Sequence, residues 1–265
     1  MRWLSRFRLP PALCLLPLVW SAAAAQEAPA EFQMQPDRPT VVTGPFVIPW
    51  RHSQIEAGVY AAGYRHDPLN TSTVAVPVLL RIGMPGPNEL RVDTTGYQLT
   101  GSSAGDTSGL GDAELGWKHQ FTQQQGHRPA LGLLGQVTLP TGSGGYGSRS
   151  PSYRAAGLLS LALSQRTTFQ ANLGLGSVVD VGPSPRYFQV LAAATVAQQL
   201  TPKASLYWEL YYYSKPSTDR SNFLSSDFGV AYQLAPRVVL DLGADIGLSH
   251  SAANRAVQAG VSWYL

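Results

Sequence analysis

Cysteine is nearly absent from this sequence. Cys14 is the only one in 265 residues. Charge is also scarce, since Asp, Glu, Lys and Arg make up 13 % of the chain, about half the share of an ordinary soluble domain. Beyond residue 25 no stretch approaches the roughly 20 apolar residues that a spanning helix needs. The five histidines are scattered, and no acid-rich loop has calcium-ligand spacing. No Gly-Lys-Ser/Thr sequence sits in a strand-to-helix unit to cradle a phosphate. These absences argue against membrane helix bundles, nucleotide-driven machines and metal centres. They leave no cofactor or metal residue to nominate, and no catalytic residue in a recognisable nucleophile motif.

The first 25 residues account for two apparent exceptions. Arg2, Arg6 and Arg8 precede a short apolar stretch, 9–20, and the small residues Ser21-Ala22-Ala23-Ala24-Ala25. The order is that of a secretory signal peptide cleaved after Ala25. A membrane anchor is disfavoured, because the stretch is short and carries Pro10, Pro11 and Pro17. A lipoprotein reading of Cys14 is weaker still, with Leu13 before it and more apolar chain after it. Removing 1–25 takes away the cysteine, and with it any disulfide or thiol chemistry. It also takes three of the 19 basic residues and none of the 16 acids, leaving 16 of each. The pI near 9.0 is therefore a property of the targeting segment and implies no nucleic-acid partner.

Glycine (26 residues) and aromatic residues (10 %) are plentiful, and the mean hydropathy is −0.05. Residues 26–52 are Pro-rich, have no period of two or 3.6, and read as an extended arm that could enter a lumen as a partial plug. From 53 onward one pattern repeats. Strand-like segments are expected near 54–65, 73–83, 88–98, 109–121, 129–139, 152–164, 167–178, 186–200, 202–213, 223–234, 236–246 and 255–265. Apolar residues alternate with small or polar ones: Val257, Ala259, Val261, Trp263 and Leu265 oppose Gln258, Gly260, Ser262 and Tyr264. A period of two places one set on each face of a sheet. The connectors alternate short (84–87, 164–166, 201–202, 235–236, with 122–128 somewhat longer) and long (100–108, 140–151, 180–185, 214–222, 248–254). Such sorting suits a membrane barrel with short periplasmic turns and longer outer loops. The fold expected is all-β: a single transmembrane antiparallel up-and-down barrel of about twelve strands over 53–265, preceded by a signal (1–25) and a periplasmic arm (26–52).

Several ordered stretches carry a family resemblance. They are Asp37-Arg38-Pro39-Thr40, Gln54-Ile55-Glu56-Ala57-Gly58, Leu80-Arg81-Ile82-Gly83, Glu89-Leu90-Arg91-Val92 and Gly109-Leu110-Gly111-Asp112. Leu115-Gly116-Trp117-Lys118, Leu139-Pro140-Thr141-Gly142, Asn172-Leu173-Gly174, Trp208-Glu209-Leu210, Asp227-Phe228-Gly229-Val230, Leu240-Asp241-Leu242-Gly243 and Gly260-Val261-Ser262-Trp263 follow in order. The set resembles the outer-membrane barrel family labelled as transporters of the meta-pathway of phenol degradation. The resemblance implies a barrel that admits small, often hydrophobic compounds, and it supplies no catalytic residues. Members usually end on Phe or Trp, which the assembly machinery reads. This chain ends Trp263-Tyr264-Leu265, which puts its assembly efficiency in question.

On the inward face, the alternation nominates Glu56, Arg81, Glu89, Arg91, Asp112, Glu114, Lys118, Glu209, Asp227, Asp241 and Asp245 as lumen or constriction residues, with Asp93 and Arg154 beside them. Either they screen solutes as a charged constriction, or they form an ion-pair network that fills a narrow barrel. The mixed signs favour the network. Basic residues lie on early strands and acids on late ones, so the two sets are expected to face each other across the lumen. Tyr207, Tyr211 and Tyr213 point inward as a candidate path for aromatic solutes, or simply as filler. Trp50, Trp117, Tyr187, Trp208, Tyr212, Tyr232, Trp263 and Tyr264 are candidate interfacial girdle residues, Tyr264 with an inward option. Gly142-Ser143-Gly144-Gly145-Tyr146-Gly147 reads as a mobile outer loop.

The functional expectation is a passive outer-membrane channel of a Gram-negative cell, monomeric and without a cofactor. Its expected partners are membrane lipid, the barrel-assembly machinery through 255–265, and a small-molecule solute. Two alternatives stand. One is a barrel enzyme of lipase or protease type, for which His119 (on the lipid face) and His250 are the candidates. The other is a structural or adhesion barrel with a plugged lumen.

Overall fold

The structure is a computed structural model and describes residues 34–64 and 69–265. The predicted signal (1–25) and the first residues of the arm lie outside the described residues.

Fifteen strands follow in chain order: β1 (Ser53–Tyr64), β2 (Thr71–Ala75), β3 (Val78–Met84), β4 (Asn88–Thr94), β5 (Tyr97–Gly101), β6 (Thr107–Leu110), β7 (Ala113–Thr122) and β8 (Ala130–Leu139). Then come β9 (Ser152–Ala162), β10 (Thr167–Val178), β11 (Tyr187–Thr201), β12 (Ala204–Tyr213), β13 (Phe223–Ala235), β14 (Val238–Gly247) and β15 (Arg255–Tyr264). All pairings between these strands are antiparallel, and β15 pairs with β1 from Gln54↔Tyr264 to Gly63↔Arg255. That pairing closes the sheet and removes both edges. Twelve strands complete the circuit, because β2 with β3, β4 with β5 and β6 with β7 are consecutive pieces of three interrupted strands.

Those interruptions correct the expectation of unbroken segments at 73–83, 88–98 and 109–121. Their cause is local chemistry. Pro77 has no N–H for the ladder, and Gly96 takes a φ of 68°. Backbone bonds still cross the gap: Gly58 N–H donates to the Pro77 carbonyl (3.2 Å), Val76 to Tyr97 (3.0 Å) and Gly111 to Gly96 (2.9 Å). The wall bends along this row and remains bonded.

Alternation sets the two faces. Outward positions carry apolar side chains left uncovered, among them Leu173 (65 % exposed), Leu242 (56 %) and Trp263 (54 %). Exposed apolar surface on this scale is ruinous in water and fits contact with lipid. Inward positions carry the ionised residues, so the buried interior is polar. At the short-turn rim, the ladder register shifts at Gln120/Thr122, Gln199/Thr201 and Gln233/Ala235. The turns there are fixed by side chains: Thr201 Oγ1 accepts from the Lys203 and Ala204 amides, and Ser164 Oγ from those of Arg166 and Thr167.

Among the girdle candidates, Trp117, Trp208, Tyr232 and Trp263 are outward and exposed. Tyr187 is a correction. Its side chain is buried, and its hydroxyl donates to Asp180 Oδ1 or the Pro216 carbonyl. Tyr264 takes its inward option and packs on Met34, Ile48 and Val239.

Gly96 is the least replaceable point of the bend. A Cβ there would lie 1.8 Å from the Val76 carbonyl oxygen, and a positive φ costs an L-residue roughly 1–2 kcal/mol besides. Gly96→Ala is expected to lower the temperature at which the folded barrel loses its fast gel mobility. Gly105→Ala, also at positive φ but with open space around it, should lower it much less.

Candidate functional site

The lumen is filled from within by the arm, residues 34–52. Met34 packs against Ile48 near the short-turn rim. The chain rises to Val42, which packs on Ala193 and Tyr211, and returns to enter β1. The arm makes no sheet ladder, so its backbone groups need side-chain partners. The inward residues of the wall supply them. Glu56 accepts from the Asp37 and Arg38 amides, Glu209 from Val41 and Val42, and Glu89 from Ile48. Arg81 donates to the carbonyls of Gln35 and Phe46, and Lys118 to those of Gly44 and Phe46. Gln258 holds the Pro39 carbonyl at 2.8 Å.

Charge arithmetic fixes the register. Arg81, Arg91 and Lys118 stand on β3, β4 and β7 against Glu56 and Glu89, one anion short of balance. Asp37 completes the set, 3.6 Å from Arg81, 3.3 Å from Lys118 and in contact with Arg91. Arg81 also pairs with Glu56 (3.2 Å) and Glu89 (2.9 Å), and all three side chains are buried to within 1 % of completely. The next residue, Arg38, turns to the opposite wall and pairs with Asp241 on β14 at 3.1 Å. It lies across β1 and β15, where a Cβ on Gly58 or Gly260 would come within 2.5 Å of the guanidinium. Asp37 belongs to the arm and not to a spanning strand. Burial favours its neutral form, but Arg81, Lys118 and Arg91 outweigh burial and hold the carboxyl well below the usual range.

The nominated residues therefore divide. Glu56, Arg81, Glu89, Arg91, Lys118, Glu209 and Asp241 form the socket of the arm, and the early bases and late acids meet through Asp37 and Arg38 instead of facing each other directly. Glu114 and Arg154 pair at 3.1 Å nearer the long-loop rim. Glu209, Asp227 and Asp245 stand on one rung of three neighbouring strands. Asp112 sits apart from all of these, accepting from the Gly142 and Ser148 amides and so tying down the glycine loop. Tyr207 and Tyr211 are covered, with the Tyr211 hydroxyl donating to Asp245, and Tyr213 alone of the three borders open space. His119 lies outward near the short-turn rim, 2.8 Å from Asn88 Oδ1, while His250 is in a long loop at the other rim, so the two are not brought together. Among the described residues no cluster of His, Cys, Asp or Glu is arranged to hold a metal.

Sequence reasoning missed Asp37, Arg38 and Asn172 as site residues. The only signal was their presence in the motifs that carry the family resemblance.

Two cavities flank the arm. One of about 420 Å³ opens toward the long loops and is bordered by Arg91, Glu114, Arg154 and Tyr213. The other, about 390 Å³, lies at the short-turn rim beside Arg166, Lys203 and Gln233.

A closed twelve-stranded antiparallel barrel, apolar outside and ionised inside, is a transmembrane barrel of the outer-membrane type. Within that class, the chain belongs to the family described as "Putative MetA-pathway of phenol degradation", whose model matches residues 36–265 and so takes in the arm from Pro36 onward. No curated protein matches the sequence. Among solved structures it is similar to an outer membrane channel from Pseudomonas putida F1, with 14 % identity and a TM-score of 0.67, over 88 % of this chain and 100 % of that one. The KdgM porin gives 8 % identity and a TM-score of 0.51 over 79 % and 98 %. The translocator domain of the autotransporter NalP from Neisseria meningitidis gives 12 % and 0.52 over 80 % and 88 %. At these identities the likeness establishes the fold.

Removing one partner of a buried pair costs about 3–5 kcal/mol. Asp37→Asn is accordingly expected to loosen the arm and expose Phe46 to chymotrypsin in folded protein. The exposed Asp106→Asn should leave the digestion pattern unchanged.

Proposed function

We propose that the protein is a passive channel in the outer membrane of a Gram-negative bacterium, admitting small solutes with the arm as its regulator of access. The carrying observation is the pair of cavities on opposite sides of one docked segment, inside a barrel whose outer face is apolar. A segment held by side-chain bonds is able to shift without breaking any strand ladder. The likeness to the outer membrane channel from Pseudomonas putida F1 supports solute passage, and the family description, which names phenol degradation, suggests small aromatic cargo such as a phenol. The remaining expectations belong to the same proposal: export by the segment 1–25, assembly through 255–265, insertion in lipid as a monomer, and no catalytic step.

The filled lumen is the observation that favours the second reading, a plugged structural barrel. Planar-bilayer recording separates the two. Purified protein should carry a small ion current that phenol reduces, and Asp37→Asn should raise that current several-fold. Silence of both wild type and Asp37→Asn, with each shown to be inserted and folded, would leave the plugged barrel as the better reading.

A further inference from the structure

Resting on the channel reading, we propose that solutes pass along one seam, between the arm and strand β10, with Gln170 setting its width and the Asn172–Thr43 contact latching it shut. The cargo class that fits this seam is small, uncharged and hydroxyl-bearing.

The inward residues of β10 run in order through three spaces. Gly176, Gly174 and Asn172 border the cavity of about 420 Å³. Gln170 is the one wall residue on a middle space of about 30 Å³ whose other sides all belong to the arm, Thr40, Val42 and Gly44 among them. Thr168 borders the cavity of about 390 Å³ at the other rim. One strand thus lines the outer cavity, a narrow neck and the inner cavity in succession. The arm does the same from its side, with Thr43 above, Val42 and Gly44 at the neck, and Pro36 below. The neck has room for about two waters, so it is the point at which passage is decided.

The arm is also held least firmly on this side. Its ion pairs run to Arg81, Arg91 and Lys118 on β3, β4 and β7 and to Asp241 on β14. Among the described residues none links it to β8, β9, β10 or β11. There the holding contacts are neutral. Asn172 accepts from the Thr43 amide at 2.8 Å and donates to the Thr43 carbonyl at 2.9 Å. Gln170 presses on the arm where it has no side chain, since a Cβ on Gly44 would lie 2.8 Å from the Gln170 amide nitrogen. Moving 43–44 away from β10 breaks the two neutral hydrogen bonds to Asn172. A larger shift of 40–44 also breaks the bonds of Val41 and Val42 to Glu209 and of Gly44 to Lys118, and every buried ion pair stays intact. Neutral bonds cost about 0.5–1.5 kcal/mol each to exchange with water, against about 3–5 kcal/mol for stripping a partner from a buried charge.

The lining of the seam explains the cargo. Asn172, Gln170, Thr168 and Thr40 each offer both a donor and an acceptor and no net charge. Asp37, the one ionised side chain at the neck, is committed to three cations. A hydroxyl group exchanges bonds with amide and hydroxyl side chains. An ion there loses its hydration without gaining a counter-charge.

The test is liposome swelling with arabinose, an uncharged polyol-like sugar, on the full-length protein and its variants, with folding checked by heat-modifiable gel mobility. Asn172→Ala is expected to raise the swelling rate several-fold, and Gln170→Ala to raise it as well. Asn172→Ala combined with Gln170→Trp should return the rate to the wild-type level or below. If the bulky side chain impairs folding, Gln170→Cys folded first and then capped with a bulky thiol reagent supplies the same block and the same expected fall. A rate that stays high with the neck filled overturns the seam, as does a rise produced by Arg38→Asp but by neither β10 variant. Those results would leave the channel reading in place. Absence of swelling in every folded variant, Arg38→Asp included, would overturn the channel reading itself.

Discussion

The structure depends on two adjacent residues pulling toward opposite walls. Asp37 completes an ion cluster with Arg81, Arg91 and Lys118, and Arg38 answers Asp241. Neither wall is balanced without the arm. The ion cluster on β1–β7 is short of an anion, and the opposite wall holds Glu209, Asp227, Asp241 and Asp245 with no base of its own, of which Arg38 pairs with Asp241. The chain turns at Arg38 and Pro39, so a single Asp-Arg step reaches both. Buried ion pairs are weak sources of net stability, because desolvation consumes most of the attraction. Their effect here is positional: a one-residue shift of the arm would set either Arg38 or the neutral Pro36 against the three cations.

From that constraint the rest of the lumen follows. A barrel of this size cannot leave a dry polar interior unfilled, and the arm fills it while presenting backbone groups to Glu56, Glu209, Glu89 and Lys118. Glycines on β1 and β15 allow the guanidinium of Arg38 to lie close to the wall. The consequence is an asymmetric plug, charged on the faces toward β3–β7 and β14 and neutral on the face toward β10. An asymmetric plug has a preferred side on which to yield, which a uniformly charged one would lack.

Much of the barrel was legible in the sequence. The period of two in segments such as Val257 to Leu265, and the alternation of short and long connectors, are enforced by lipid on one face and by two unlike rims. Both constraints act on every strand, so they repeat and can be read. The interruptions at Val76-Pro77, Thr95-Gly96 and Gly111-Asp112 were not read, although Pro77 and Gly96 were in plain view. A single turn residue inside an alternating run looks like tolerated noise until its neighbours across the sheet are known. Tyr187 was misplaced for a similar reason: periodicity around β11 is poor, because its Ala-rich sequence has little contrast between faces. The role of the arm was the least legible feature. Its partners lie as far as 219 residues away in sequence, and its backbone bonds go to side chains, which impose no period. Alternation could say that Arg81 and Asp241 point inward. It could not say that a third element stands between them.

The most direct test of the central claim is a charge-reversal cycle across the Arg38–Asp241 pair, read by single-channel conductance. Arg38→Asp alone and Asp241→Arg alone should each raise conductance by unseating the arm. The double variant, which restores an opposite-charge pair in reversed order, should bring conductance back toward the wild-type level. Single reversals that conduct like wild type, or a double variant that conducts like the more open single, would contradict the claim that this pair seats the arm.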